Sequence, residues 1–170
     1  FQIDGEFNPC SENPEYRKNA LNLAKKHICY AAEAESPIIV FAACPDKGIK
    51  KRPELLKRFM EYFLELAELC RTYHMEITIE PIERHRFKKL ILGPFKDCAD
   101  FMLEAQKNGA ANAHLMIDTA HLPLMEESLE TAIKETQRAG LINVQLGDAV
   151  LDPKRNFYGH TNPPIGVHGG

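Results

Sequence analysis

Several features that mark common functional classes are missing from this sequence. No apolar run approaches the roughly 20 residues that a membrane helix needs, so no membrane partner is expected. The formal net charge is −3 with both signs interspersed, which gives no basic surface for a phosphate backbone and argues against nucleic acid as a partner. The motifs GxGxxG, GxSxG and GxxxxGK with a following Ser or Thr are also missing, so nucleotide-binding and serine-hydrolase functions lack their sequence support.

The cysteines show no spacing that would pair them. There are five, an odd number, and they are scattered along the chain without a CxxC element. This pattern argues against a disulfide framework or a zinc knuckle. It predicts free thiols in a reducing compartment, with the cytoplasm as the default location.

The sequence does have two apolar patterns that alternate along the chain, short continuous apolar runs and longer segments with apolar residues at helical spacing. With 44% apolar residues, the chain can build one core, and we predict a single domain over residues 1–170. Buried strands alternating with amphipathic helices predict parallel βαβ units of the α/β class. A doubly wound sheet and part of a barrel both fit this alternation. The predicted strands are 37–43, 75–79, 113–117 and 141–146, with a stub at 1–3, and the predicted helices are 14–34, 53–70, 95–106 and 126–138.

Three successive predicted strands finish with an acidic residue where the apolar run stops: Glu80, Asp118 and Asp148. In a barrel, the carboxyl ends of the strands converge on one mouth, so groups distant in sequence meet there. His121 follows Asp118 by three residues at a bend, a spacing that lets both face one pocket. Converging carboxylates and imidazoles can hold a divalent cation or move protons. The sequence therefore predicts a reaction centre around Glu80, Asp118 and His121.

Each of these residues also has a purely structural interpretation. Glu80 could form an ion pair with a nearby arginine, Arg84 or Arg86. Asp118 could cap the turn that follows it. His121 by itself is more often a hydrogen-bonded structural residue than a ligand. The occurrence of acidic residues at the ends of three strands favours the functional interpretation.

Four sequence blocks resemble a known family. The blocks are IEPIER (79–84), LMIDTAHLPL (115–124), VQLGDA (144–149) and PIGVHGG (164–170). They resemble, in order and spacing, the signature blocks of the sugar phosphate isomerases and epimerases of the xylose isomerase-like superfamily. The resemblance implies a (β/α)8 TIM barrel, of which this chain would be an incomplete part covering about strands 3 to 7.

The resemblance also implies a metal site made by Glu80, Asp118 and the residue at position 145. The family usually places a histidine at the last of these positions, and this chain has Gln145. A glutamine carbonyl oxygen is neutral and suits hard cations better than zinc. The expected cofactor is therefore a divalent metal ion, with Mn, Mg or Co favoured over Zn.

The function implied is a metal-dependent isomerase or epimerase that acts on a small sugar, polyol or sugar phosphate by proton abstraction next to a carbonyl. Glu80 and His121 would be catalytic. At position 86, ketose 3-epimerases usually carry a substrate-binding Glu and this chain has Arg86, so that subfamily is not implied. The predicted substrate-binding residues are His121, Asp148, Arg155 and His160.

Two alternatives stay open. One is a metal-dependent apurinic endonuclease of the same fold, which would need more histidines and a basic groove. The other is a non-catalytic descendant that binds a sugar, which Gln145 favours. The sequence leaves the oligomeric state open, a homo-oligomer included.

Overall fold

The chain forms a parallel sheet, with helices connecting successive strands. The computed structural model describes residues 5–156, 158–159 and 162–166. Four parallel strands lie in the order β1-β2-β3-β4, so each strand pairs with the next one along the chain. The elements are α1 (Pro14–Glu33), β1 (Ile38–Phe41), α2 (Arg52–Thr72), β2 (Glu76–Ile79), α3 (Phe95–Lys107), β3 (Ala113–Asp118), α4 (Leu122–Met125), α5 (Leu129–Ala139) and β4 (Leu141–Gln145).

This topology confirms the α/β class and an incomplete barrel. The four strands correspond to four of the five expected from the sequence. The predicted stub at residues 1–3 lies outside the described residues. The helices α1, α2 and α3 begin and end within two residues of their predicted limits, because their apolar stripes are long and regular.

The segment after β3 departs from the prediction. A single helix was expected from Glu126, but the short helix α4 ends there, and Glu126 adopts a positive φ of 61°. The helix α5 begins at Leu129, since the hydroxyl of Ser128 accepts a hydrogen bond from Thr131 N at 3.1 Å. It ends at Gly140, whose φ of 89° suits glycine.

The helices bury one face of the sheet. The rings of Phe59, Phe63 and Phe101 lie 5.6 to 6.3 Å apart at the centre of the main core, which also contains Ile77 and Leu115. Since successive side chains of a strand point to opposite faces, the residues between these apolar positions lie on the other face.

That other face carries the polar residues. It bears Glu76 and Thr78 on β2 and His114 and Asp118 on β3, and Thr78 is the register partner of His114. Glu80 continues the same alternation one residue past β2. The fold therefore places Glu80 and Asp118 on the face turned away from the helices, at the carboxyl edge of the sheet. The third predicted strand-end carboxylate, Asp148, is not at a strand end, because β4 ends at Gln145.

None of the described helices combines the length and apolar character needed to cross a bilayer.

Candidate active site

Two carboxylates stand at the carboxyl ends of adjacent strands. The amide of Glu80 donates to Phe41 O at 3.0 Å, which continues the β1–β2 pairing to the end of β2. Asp118 closes β3, is 3% exposed, and accepts a hydrogen bond from Ala120 N at 2.9 Å. Asp118 thus caps the turn and also stands at the end of its strand. The sharp turn that it caps brings His121 back over the strand end.

The structure brings Glu80, Asp118 and His121 into one cluster. One ligand-capable atom from each lies within 4.8 Å of the others. Atoms bound to one ion at about 2.0–2.6 Å can be at most roughly 5 Å apart, so this spacing fits a single divalent cation. Two carboxylates and an imidazole are also donors that such ions accept. The three residues therefore fit the metal that the family resemblance implies.

His121 lies between two glutamates. Its Nδ1 is 2.7 Å from Glu83 Oε2, and its Nε2 is 3.2 Å from Glu80 Oε1. Burial by itself would lower the pKa of His121, but the contacts with Glu80 and Glu83 outweigh it and raise that pKa to about 9. Without a cation, the imidazole is therefore protonated at neutral pH.

Glu83 is the functional residue that the sequence did not single out. It is fully buried, and it also accepts a hydrogen bond from Lys88 N at 2.8 Å. Burial would raise the pKa of its carboxyl, but the hydrogen bonds from His121 and Lys88 hold that pKa below the ordinary value. A carboxylate behind a site histidine fixes the orientation of the ring. The available signal was its position in IEPIER, three residues after Glu80.

The ion pairs considered as an alternative for Glu80 form elsewhere. Arg84 Nη2 lies 2.7 Å from Asp97 Oδ2, and Arg86 pairs with Glu126. The side chain of Glu80 instead contacts His121. The structural interpretation of Glu80 as a partner of Arg84 or Arg86 is therefore wrong.

The chain after β4 is clamped over the turn that holds Asp118. Thr119 Oγ1 donates to Gly147 O at 2.8 Å and accepts from Gly147 N at 2.9 Å. A Cβ at position 147 would stand 3.1 Å from Ala120 Cβ and 3.2 Å from Asp118 Oδ1. Only glycine allows this close approach without displacing a neighbour.

Gln145 ends β4 as the register partner of Asp118. Directly paired positions of neighbouring strands point to the same face, so its side chain belongs to the face that carries the cluster. It is exposed. Its role as a metal ligand stays a prediction.

The other predicted substrate-binding residues, Asp148, Arg155 and His160, follow β4 in the sequence. Asp148 is 2% exposed and accepts from Ala149 N at 2.7 Å and Gly166 N at 2.8 Å, so it holds the following loop in place. Arg155 is largely exposed, with its Nε 3.9 Å from Asp152 Oδ2. His160 lies outside the described residues. Substrate binding by these three residues stays a prediction.

A family profile described as the xylose isomerase-like TIM barrel matches residues 1–167. The chain belongs to this family. The match extends over nearly the whole sequence and includes all of the described site residues. A search of curated proteins found no significant match.

Solved structures of this barrel type superpose on the chain. A D-tagatose 3-epimerase-like protein has a TM-score of 0.75 at 21% identity, over 96% of this chain and 58% of its own. The D-psicose 3-epimerase of Clostridium cellulolyticum H10, solved with D-tagatose, gives 0.72 at 20% identity, over 90% and 53%. An AP endonuclease of family 2 from Brucella melitensis gives 0.66 at 15% identity, over 82% and 54%.

At these identities the similarity establishes the fold alone. The chain spans little more than half the length of these relatives. The described residues of this family member form four strands of the barrel sheet. Glu80, Asp118 and His121, at the carboxyl ends of these strands, form a cluster suited to a cation.

Proposed function

We propose that this chain carries the reaction centre of a metal-dependent isomerase or epimerase that acts on a small sugar, polyol or sugar phosphate. The observation that carries the proposal is the convergence of Glu80, Asp118 and His121 within 4.8 Å at the carboxyl edge of the sheet. Similarity to sugar epimerases of the same fold supports it. The reaction would remove a proton from the carbon next to a carbonyl and return it.

The chain's own residues would divide this work. Glu80 and Asp118 would hold a divalent cation, whose Lewis acidity makes the proton next to a carbonyl easier to remove. Glu80, at 17% side-chain exposure, is open enough to exchange a proton with the substrate. His121 would donate a hydrogen bond from Nε2 to the substrate oxygen where negative charge develops. Glu83 would hold the ring of His121 in that orientation.

Position 145 decides which metal is favoured. Gln145 would offer a neutral carbonyl oxygen where an imidazole would suit zinc. Two carboxylates with an amide oxygen make a harder donor set, so we expect Mn, Mg or Co in preference to Zn. Asp148, Arg155 and His160 are proposed to contribute to substrate binding from the segment after β4.

Hydrogen exchange on candidate substrates tests the proposal. The complete protein, loaded with Mn²⁺, would be incubated in D₂O with a panel of ketoses, aldoses and their phosphates, and deuterium incorporation would be followed by NMR. We expect exchange at the carbon next to the carbonyl of at least one substrate, and its loss after chelation of the metal. No incorporation into any member of the panel would contradict the proposal.

A non-catalytic sugar-binding role is the alternative that Gln145 favours. Metal analysis of freshly purified protein separates the two, because the enzyme should contain a divalent ion in stoichiometric amount. A binding protein would contain none even after addition of Mn²⁺ or Co²⁺. For either role we propose a reducing, cytoplasmic setting, since none of the five cysteines forms a disulfide.

A further inference from the structure

An aromatic pair joins two loops that both start at the carboxyl edge of the sheet. Phe87 belongs to the loop after β2, and Tyr158 belongs to the segment after β4. Their rings lie edge to face, with centroids 6.0 Å apart and planes at 84°. Such a pair stabilises a contact beyond the area that it buries. Together with the adjoining Gly159, the two residues form what we term the aromatic clasp.

Gly159 brings the backbone of its segment directly against the ring of Phe87. A Cβ on Gly159 would stand 2.5 Å from Cγ of Phe87 and 2.6 Å from Cδ1. Two backbone hydrogen bonds with Val150, of 2.9 and 3.1 Å, hold Gly159 in this place. Any side chain at position 159 would therefore displace the ring of Phe87.

The Phe87 side of the clasp leads directly to Glu83. Lys88, the next residue, donates from its amide to Glu83 Oε1 at 2.8 Å, and Leu90 N donates to Glu83 O at 3.2 Å. Between them, Lys89 has a positive φ of 58°. This conformation is uncommon for a residue with a side chain and persists where the surrounding contacts impose it. The loop that carries Phe87 is thus fastened to the carboxylate of Glu83.

The other side of the clasp leads to the turn that carries His121. Val150, which holds Gly159, is 3% exposed and follows Gly147 by three residues. Gly147 exchanges two hydrogen bonds with Thr119 Oγ1, of 2.8 and 2.9 Å. Thr119 and His121 lie in one short 3-10 turn. The contacts therefore form a closed ring that starts and ends on this turn.

We propose that the aromatic clasp positions His121. It fixes Glu83 on one side of the turn and Thr119 on the other, so that Nε2 of His121 keeps one direction. A donor held in place before the reaction needs no reorganisation when charge develops on the substrate. This inference rests on the proposed function, in which Nε2 donates to the substrate oxygen. The clasp residues act through Glu83 and Thr119, so they are positioning residues.

Hydrogen exchange in the metal-free protein tests the structural part of the inference. Two protons report on Glu83, the amide proton of Lys88 and the ring proton that His121 Nδ1 donates, and NMR follows both. Phe87→Ala should accelerate the exchange of both by about 10-fold, as expected for the loss of one aromatic pair. The amide of Leu115, in β3, is the internal reference and should be unaffected.

Gly159→Ala disturbs the clasp from the other loop. Its Cβ should push the ring of Phe87 away and give the same acceleration. Gly109→Ala is the matched control, since Gly109 has a φ of 105°, close to the 100° of Gly159, but no atom of the described residues within 4 Å of an added Cβ. Adding Gly159→Ala to Phe87→Ala should change little further, because the displaced ring is already gone. Tyr158→Phe keeps its ring and should behave as wild type.

Steady-state kinetics of the Mn²⁺-loaded complete protein test the functional part. Phe87→Ala should lower kcat by about 10-fold and leave KM within about twofold, because an interaction made only in the transition state affects kcat and kcat/KM alike. Tyr73→Ala is the matched control, since Tyr73 is 44% exposed, like Phe87 at 41%, but lies at the amino end of the sheet. Urea unfolding of the same variants measures any loss of global stability.

The outcomes separate the two proposals. Unchanged exchange of both protons in Phe87→Ala and Gly159→Ala would overturn the inference. Lower stability to urea with unchanged kcat would also overturn it, because the clasp would then only stabilise the fold. Faster exchange in both variants, with no turnover by wild type, would support positioning of His121 by the clasp and overturn the proposed function.

Discussion

Glutamates contact a histidine at both ends of the same face of the β2–β3 pair, one glutamate at the amino end and two at the carboxyl end. At the amino end, Glu76 Oε2 lies 2.9 Å from His114 Nε2, and the two side chains are 40% and 26% exposed. At the carboxyl end, His121 is fully buried between Glu80 and Glu83. The residue types are the same, but the surroundings are different.

The difference comes from the loops that follow the strands. At the carboxyl end, the turn after Asp118 carries the histidine, the loop after Glu80 supplies Glu83 as its partner, and Thr119 holds the segment after β4 against the same turn. Desolvation there strengthens each electrostatic contact. The turn after Asp118 also brings His121 close enough to Asp118 and Glu80 for all three to bind one ion, which completes the cluster. The amino-end pair serves as a control that the chain itself provides.

The largest expected contrast is between Glu80→Gln and Glu76→Gln. Glu80→Gln removes both a metal ligand and the proposed acid/base, so turnover should fall by at least about 1,000-fold. Glu76→Gln changes a half-exposed pair and should leave turnover within about threefold. Steady-state kinetics, with circular dichroism to check the fold, would measure both. Equal losses in the two variants would remove the distinction between the two ends of the sheet.

The pH dependence of stability separates the two histidines. The folded pKa of His121, about 9, is above its ordinary 6.5, so the stabilisation is complete below pH 6.5 and is lost as pH rises through 9. The free energy of unfolding of the metal-free protein should fall by on the order of 3 kcal/mol across this range. The pKa of Glu83 is shifted downward, so its contribution is lost instead in acid, as pH falls below the ordinary value of its carboxyl.

Urea unfolding at a series of pH values measures this effect. His121→Gln should flatten the profile between pH 6.5 and 9, whereas His114→Gln should keep it. A wild-type profile that is already flat over this interval would show that the two glutamates do not hold a proton on His121.

Glu83→Gln should lower turnover by about 10- to 100-fold. The glutamine still accepts a hydrogen bond from the ring, but it removes the charge that orients His121 toward the substrate oxygen. Steady-state kinetics with Mn²⁺ measure the change, and Glu76→Gln is again the control. Unchanged turnover would limit Glu83 to a packing role.

The smallest expected effect is at position 145. Gln145→His should tighten Zn²⁺ binding by about tenfold relative to Mn²⁺, because an imidazole replaces a neutral oxygen beside Asp118. Asn143→His, two residues earlier on the same strand, is the matched control. If both variants change zinc affinity alike, Gln145 does not face the cluster.

The sequence predicted the features that depend on local pattern. Strands and long helices follow from apolar periodicity, and Glu80 and Asp118 follow from the rule that strand ends converge. Asp118 also shows that the structural and functional interpretations need not exclude each other. Its carboxylate caps the turn by accepting from Ala120 N, and it belongs to the cluster as well.

The features that the sequence did not predict depend on contacts between loops. Glu83 reaches His121 across 38 residues, and Asp148 binds Gly166 N across 18. No periodicity records such contacts, since they depend on the path of the 81–94 loop and of the segment after β4. The helix α4 was missed for a related reason, because it is too short to show a helical repeat.

Calorimetric titration of Mn²⁺ into wild type and Asp118→Asn tests the central claim most directly. An asparagine oxygen can still cap Ala120 N, so the variant should keep the turn while losing a charged ligand. We predict one ion per chain in wild type and at least about 100-fold weaker binding in the variant. Absence of binding in wild type, or equal binding in both proteins, would contradict a metal centre at the mouth of these strands.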